Sequence, residues 1–190
     1  MAVPAETPWR WIGRVFLWLV PAFAAWHFAA GLLAAAQAAL ATAGVNVWFP
    51  GLVEGWTRAD AALDFVTRIQ ARAGGRLADL VFPVNARVYS YGIALFVALC
   101  LATDPRRWIG LLVGSGVLIG LAGWGVAFDL LVQVFVSQGG LAARDYLPTG
   151  VERNLIGLGY QVGSILLPTV APVVAWGCVH RAFLARWAGI

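Results

Sequence analysis

Four long apolar stretches dominate this chain of 190 residues. A helix needs about 20 apolar residues to cross the hydrocarbon core of a bilayer, which is roughly 30 Å thick. Three of the stretches meet that length, and Val84 and Val88 can extend the shorter second one. The sequence therefore predicts an all-α membrane protein built as a bundle of four transmembrane helices. The stretches are Trp11–Leu40, Tyr89–Thr103, Trp108–Val136 and Leu155–His180.

Composition argues against a soluble helical protein. Hydrophobic residues make up 61% of the chain and charged residues only 12%, whereas soluble domains carry about 25% charged residues. The net charge of +4 is spread along the chain without a dense basic run, so no nucleic-acid partner is expected. Cys100 and Cys178 are predicted to be free, buried thiols rather than a disulfide.

Arginines fix the predicted orientation, because cytoplasmic loops of membrane proteins are enriched in basic residues. Three basic segments precede the first stretch, separate the second from the third, and follow the fourth. They must share one side of the membrane, so both termini are predicted to be cytoplasmic, with the first stretch as a retained signal anchor. The arginines are Arg10, Arg14, Arg106, Arg107, Arg181 and Arg186.

The segment between the first two stretches, residues 45–84, is predicted to be an extracytoplasmic insert within one membrane domain covering residues 1–190. Apolar residues alternate with polar ones from Leu63 to Ile69, and a second short run follows from Leu77 to Phe82. The turn sequence Ala73–Arg76 contains two glycines and separates the runs. This pattern favours a β-hairpin, while the alanines of residues 59–73 leave a helix as the alternative.

Polar side chains interrupt the apolar stretches near the predicted outer side. Counted at 1.5 Å per residue, Asp129 lies about 13 Å below the outer end of the third helix and Tyr160 about 9 Å below that of the fourth. We expect a polar cluster that opens toward the extracytoplasmic side. It is either an ion pair of Asp129 with Arg87 or Arg153, or a site for a substrate or partner helix. The candidate residues are Asp129, Gln133, Tyr160, Gln161, Asn85 and Arg87.

Sequence signals for a cofactor or for catalysis are weak. His27, in the middle of the first stretch, is a weak candidate ligand for a haem or chlorin, but a hydrogen-bonded core histidine is the simpler interpretation. Cys178 and His180 are two residues apart, which directs them to different faces of a helix. No sequence motif of a hydrolase, a zinc protease or a phosphate-binding loop is present, so we expect no metal, no cofactor and no enzymatic activity.

Three strings of the sequence resemble the exosortase H-associated membrane proteins. They are NARVYSYGIALFVALCL at Asn85–Leu101, WGVAFDLL at Trp124–Leu131 and GYQVGSILLPTVAP at Gly159–Pro172. The resemblance implies a bacterial inner-membrane protein that accompanies an exosortase, a membrane transpeptidase that processes C-terminal sorting signals on exported proteins. Exosortases place a cysteine, an arginine and a histidine near the outer face, whereas Cys100, Cys178 and His180 are predicted to lie toward the inner face.

The expected function is therefore that of a non-catalytic accessory subunit in an exosortase system. Its partners would be membrane lipid and another integral membrane protein. It would contact the exosortase, or the substrate of the exosortase, at the outer face of the membrane. A structural or assembly subunit of another inner-membrane complex, one that transduces energy or binds pigment, is the alternative. A small-molecule transporter is less favoured, because four helices without an internal repeat do not resemble known transporter folds.

Overall fold

The apolar stretches form helices, and the insert forms a β-sheet. In this computed structural model, which describes residues 8–59, 62–73, 76–137 and 148–188, π-helical turns prolong α3 and join α4 to α5. In chain order the elements are α1 Pro8–Trp48, β1 Val53–Ala59, β2 Ala62–Ala73, β3 Arg76–Val84, α2 Arg87–Thr103, α3 Trp108–Val132, π1 Gln133–Ser137, α4 Gly150–Gln161, π2 Val162–Leu166, α5 Leu167–Val179 and α6 Arg181–Ala188.

Three helical segments are long and apolar enough to cross a membrane: Trp9–Trp48, Trp108–Ser137 and Gly150–Val179. The fourth, α2, is apolar but has only 17 residues, about 25 Å of helix, which is shorter than a typical hydrocarbon core. The protein is therefore a mostly helical membrane protein with three candidate spans, and a fourth crossing by α2 stays a prediction.

The contacts between helices define two ends of the bundle. The turn end is the end that contains the turn between α2 and α3. There, Trp11 of α1 donates a hydrogen bond to Thr103 of α2, and Arg107 donates one to the carbonyl of Val179 at the end of α5. At the sheet end, the ring of Phe49 lies 4.6 Å from that of Phe135, and β3 reaches π1. The short helix α2 thus runs from the sheet end to the turn end.

The insert is a three-stranded antiparallel sheet in the order β1-β2-β3. The sequence predicts two strands, and the structure adds β1 as a third. Residues 62–73 belong to β2 rather than to a helix, and their alternation places Leu63, Phe65 and Ile69 on the buried face. The predicted turn at Gly74 and Gly75 lies outside the described residues.

The sheet is fastened to the end of α1. The side-chain amide of Asn46 donates to the carbonyl of Val53 at 2.9 Å and accepts from its backbone N–H at 3.0 Å. Gly51 makes the intervening turn with a φ of 74°, a backbone conformation that favours glycine. Because α1 continues to Trp48, residues 45–48 of the predicted insert are helical.

Two tryptophans and one threonine close the turn end. The indole N–H groups of Trp11 and Trp176 donate to the hydroxyl oxygen of Thr103 at 3.2 and 2.9 Å. That hydroxyl donates in turn to the carbonyl of Leu99 at 2.8 Å. One side chain of α2 therefore satisfies donors from α1 and α5, which would otherwise be costly in apolar surroundings.

Glycines let neighbouring helices approach α3 closely. A Cβ added at Gly114 would overlap the ring of Phe96, and one added at Gly125 would overlap the ring of Tyr89. A Cβ at Gly116 or Gly120, in contrast, would meet no atom within 4 Å. The glycines that face α2 therefore serve packing within the chain, as small residues commonly do between membrane helices.

Replacing Thr103 with valine is expected to destabilise the turn end. The change keeps the shape of the side chain but removes the hydroxyl that accepts from both indole N–H groups, so the free energy of unfolding should fall by about 1–3 kcal/mol. Unfolding of the purified protein in mixed micelles, followed by circular dichroism, measures this. Thr103→Ser keeps the hydroxyl and is the control. A valine variant as stable as wild type would show that these hydrogen bonds contribute no net stability.

Replacing Gly125 with alanine is expected to displace Tyr89. Overpacking of this kind costs about 1–3 kcal/mol, and the same micelle unfolding assay measures it. Gly120→Ala is the matched control, because the same methyl group on the same helix meets open space. Equal stabilities of the two variants would contradict the close approach of α2 to α3.

Candidate functional site

A polar cluster lies at the sheet end of α3 and is centred on Asp129, whose side chain is half-buried. The side-chain amide of Gln133 donates to Asp129 Oδ1 at 3.3 Å. The hydroxyl of Tyr89 on α2 is a second donor that faces the same carboxylate. Asp129, Gln133 and Tyr89 are called the Asp129 cluster below.

Gln133 connects this cluster to the sheet. Its Nε2 also donates to the carbonyl of Pro83, near the end of β3, at 3.1 Å. Gln133 is the first residue of π1, and single π-helical turns within helices occur often at functional sites. One amide group therefore joins α3, the sheet and the carboxylate.

Tyr89 reaches Asp129 because α2 lies against a glycine of α3. The ring of Tyr89 occupies the space that a side chain at Gly125 would fill, one helical turn before Asp129. Tyr89 is almost completely buried, with 6% of its surface exposed. The packing that brings the helices together thus also aims the hydroxyl at the carboxylate.

Tyr160 of α4 lies beside the cluster. It is partly buried against the same core and close enough to Tyr89 for an electrostatic interaction. Gly163 of π2 packs on the backbone of Gly125, which brings this part of the fourth stretch against α3. Tyr160 therefore borders the Asp129 cluster.

Within the part of the chain that the structure describes, no hydrogen bond or ion pair joins three of the candidate residues, Asn85, Arg87 and Gln161, to this cluster. Asn85 is exposed and accepts a hydrogen bond from the backbone N–H of Arg87 at 3.2 Å, where α2 begins. Gln161 is exposed, although its neighbour Tyr160 is not. These positions give Asn85 a role at the start of α2 and leave the Gln161 side chain at the surface.

The predicted ion pair of Asp129 is wrong for the part of the chain that the structure describes. Neither Arg87 nor Arg153 lies within ion-pairing distance of the carboxylate there, and its partners Tyr89 and Gln133 are neutral donors. Neutral donors therefore face the carboxylate of Asp129, and no cation of the described residues pairs with it. Tyr89 was not predicted as a member of the cluster, because only the packing on Gly125 shows which face of α2 meets α3.

With Trp108 at one membrane boundary, the length of α3 would bring the cluster close to the other boundary. The third span begins at Trp108, and Asp129 follows 21 residues later, about 31 Å along a helix. That distance matches the roughly 30 Å thickness of a hydrocarbon core. Because the Asp129 side chain is only half-buried, its carboxylate can accept hydrogen bonds from another molecule or pair with a cationic group of that molecule.

The weak cofactor candidate and the cysteines lie elsewhere. His27 is exposed on the surface of α1, with its ring edge-on to that of Phe28. Among the described residues, no three histidine, cysteine, aspartate or glutamate side chains come together as potential metal ligands. Cys100 is buried as expected, but Cys178 is exposed, which corrects the prediction that both thiols are buried.

Comparison with known proteins gives a family for this fold and site. No curated protein and no solved structure matches the chain. A family model described as "Exosortase H-associated membrane protein" matches residues 5–183, which include every residue of the Asp129 cluster. Since this match covers nearly the whole chain, the protein belongs to the exosortase H-associated membrane protein family.

Proposed function

We propose that this protein is a non-catalytic accessory subunit of an exosortase system in the bacterial inner membrane. Family membership is the observation that carries the proposal, because the family is described by its association with exosortase H. The three candidate spans support it further, since they leave large apolar surfaces for contacts with another membrane protein or with lipid.

The sheet end is the proposed contact surface for the exosortase or its substrate. The carboxylate of Asp129 lies there without a described cationic partner, and the exposed Asn85 lies at the nearby start of α2. A partner that supplies an arginine, a lysine or backbone N–H groups would complete the hydrogen bonds of this carboxylate. A charge near the membrane boundary thus gives specificity that apolar packing alone does not supply.

The reactive side chains support an accessory role for the sheet end. Cys100 lies in the last turn of α2, and Cys178 and His180 lie at the end of α5. All three belong to the turn end, whereas the polar cluster belongs to the sheet end. The proposed contact therefore relies on hydrogen bonding and charge, and the chemical step is assigned to the exosortase.

Both termini are proposed to be cytoplasmic, which places the sheet end outside the inner membrane. In a variant without native cysteines, a cysteine at Thr57 should react with an impermeant thiol reagent once the outer membrane is permeabilised. A cysteine at Pro105, in the turn between α2 and α3, should react only after lysis. Both positions are exposed in the structure. The reverse labelling pattern would contradict the orientation and the extracytoplasmic contact.

Association with exosortase H is tested by gentle co-purification from native membranes through a tag on this protein. The wild type should recover the exosortase, and Asp129→Asn should recover much less while its melting temperature stays unchanged. The amide can still accept hydrogen bonds from Tyr89 and Gln133, but it lacks the charge that the partner would contact. Asp129→Leu should in addition lower the free energy of unfolding by about 1–3 kcal/mol, because it leaves those donors unpaired.

Asp104→Asn is the matched control for co-purification, since it removes the same charge at the turn end. Failure of the wild type to recover any exosortase would contradict the accessory function. Equal recovery by wild type and Asp129→Asn would instead contradict the role of the Asp129 charge and leave this residue a purely structural one.

A further inference from the structure

A cavity at the turn end combines positive charge with an apolar wall. It has a volume of about 330 Å³ and lies between the turn that joins α2 to α3 and the end of α5. Its lining residues are Arg106, Arg107, Trp108, Ile109, Gly110 and Val179. The cavity is distinct from the Asp129 cluster, which lies at the sheet end.

Arg107 is largely committed to holding the turn in place. Its Nη1 donates to the carbonyl of Val179 at 2.8 Å, and its Nε lies 3.7 Å from Asp104 Oδ2. Asp104 also accepts a hydrogen bond from the backbone N–H of Arg106 at 3.1 Å. The carboxylate of Asp104 therefore fixes the geometry of the turn, but it balances the charge of only one of the two arginines.

Arg106 supplies the uncompensated charge. Its side chain is exposed, and it makes no ion pair or hydrogen bond with any part of the chain that the structure describes. His180, which is buried nearby, adds no charge at neutral pH, because burial and then the charge of Arg107 lower its pKa. The cavity thus presents one free guanidinium group beside a partly neutralised one.

The apolar wall lies at the level where the third span begins. Trp108 is the first residue of that span, and Trp108 and Ile109 are 60% and 61% exposed. Tryptophan at such a position is typical of the membrane interface. A ligand for this cavity therefore needs an anionic group for Arg106 and an apolar part that follows Trp108 and Ile109 into the bilayer.

We propose that this cavity binds the phosphate headgroup of an anionic phospholipid, with Arg106 as the main ionic contact and Trp108 and Ile109 against the acyl chains. Basic pockets beside transmembrane helices are suited to anionic headgroups, and an arginine near the membrane surface contributes to the attraction. A free phosphate ion shares the anionic chemistry but does not use the apolar wall. The proposal is independent of the exosortase contact, because it concerns the other end of the bundle.

Native mass spectrometry of the full-length protein in detergent tests this site with two defined lipids. Phosphatidylglycerol is anionic, whereas phosphatidylcholine with the same acyl chains is zwitterionic. The wild type should retain phosphatidylglycerol in preference, and Arg106→Gln should weaken that retention about fivefold while weakening phosphatidylcholine retention less. Arg153→Gln removes an exposed arginine of α4 and should leave both lipids unaffected. Circular dichroism checks that each variant is folded.

Three results would overturn the proposal. Unchanged phosphatidylglycerol retention by Arg106→Gln would remove the assigned contact. An equal loss in Arg153→Gln would show attraction by overall charge rather than a site. Displacement of phosphatidylglycerol by millimolar inorganic phosphate, or equally tight binding of glycerophosphoglycerol, which lacks acyl chains, would identify a site for free anions.

Discussion

The contact of the Tyr89 ring with the backbone of Gly125 is the interaction on which the sheet end depends. It sets the distance between α2 and α3, and it aims the Tyr89 hydroxyl at Asp129. Gln133, one turn further along α3, then connects the same carboxylate to the end of β3. A larger residue at position 125 would separate the helices and thereby misplace the hydroxyl as well. Both the packing of α2 on α3 and the position of the Tyr89 hydroxyl therefore depend on glycine at position 125.

Much of the fold could be predicted, because long apolar stretches indicate membrane helices and the alternation of apolar and polar residues indicates strands. The four apolar stretches correspond to helical segments, and the alternation from Leu63 to Ile69 corresponds to β2. The first strand was missed because Val53–Ala59 combines Gly55 and Trp56 with charged residues and shows no period of two. The number of membrane crossings depends on α2. Its 17 residues are too few for hydropathy to decide whether this helix crosses the membrane.

The membership of the polar cluster was only partly predictable, because both the lipid-facing and the interior surfaces of a membrane helix are apolar. Periodicity then indicates poorly which face is buried, so the exposed Gln161 and His27 could not be separated from the partly buried Tyr160. Rules for charges in membranes favour an arginine as the partner of Asp129. Tyr89 takes that place because the glycine at position 125 brings its ring close, a contact between residues that are distant in sequence.

The two ends of the bundle leave different charged groups open to other molecules. At the turn end, Thr103 satisfies two indole donors, and Asp104 and Arg107 hold the turn together. At the sheet end, the described residues offer Asp129 neutral donors and no cation. An ionised carboxylate held by neutral donors can form a stronger, charge-assisted contact with a cationic group. Since hydrophobic burial does not drive association between helices inside a bilayer, a specific partner has more to gain at the sheet end. The proposed exosortase contact is assigned there for that reason, and the free charge of Arg106 at the other end is assigned to lipid.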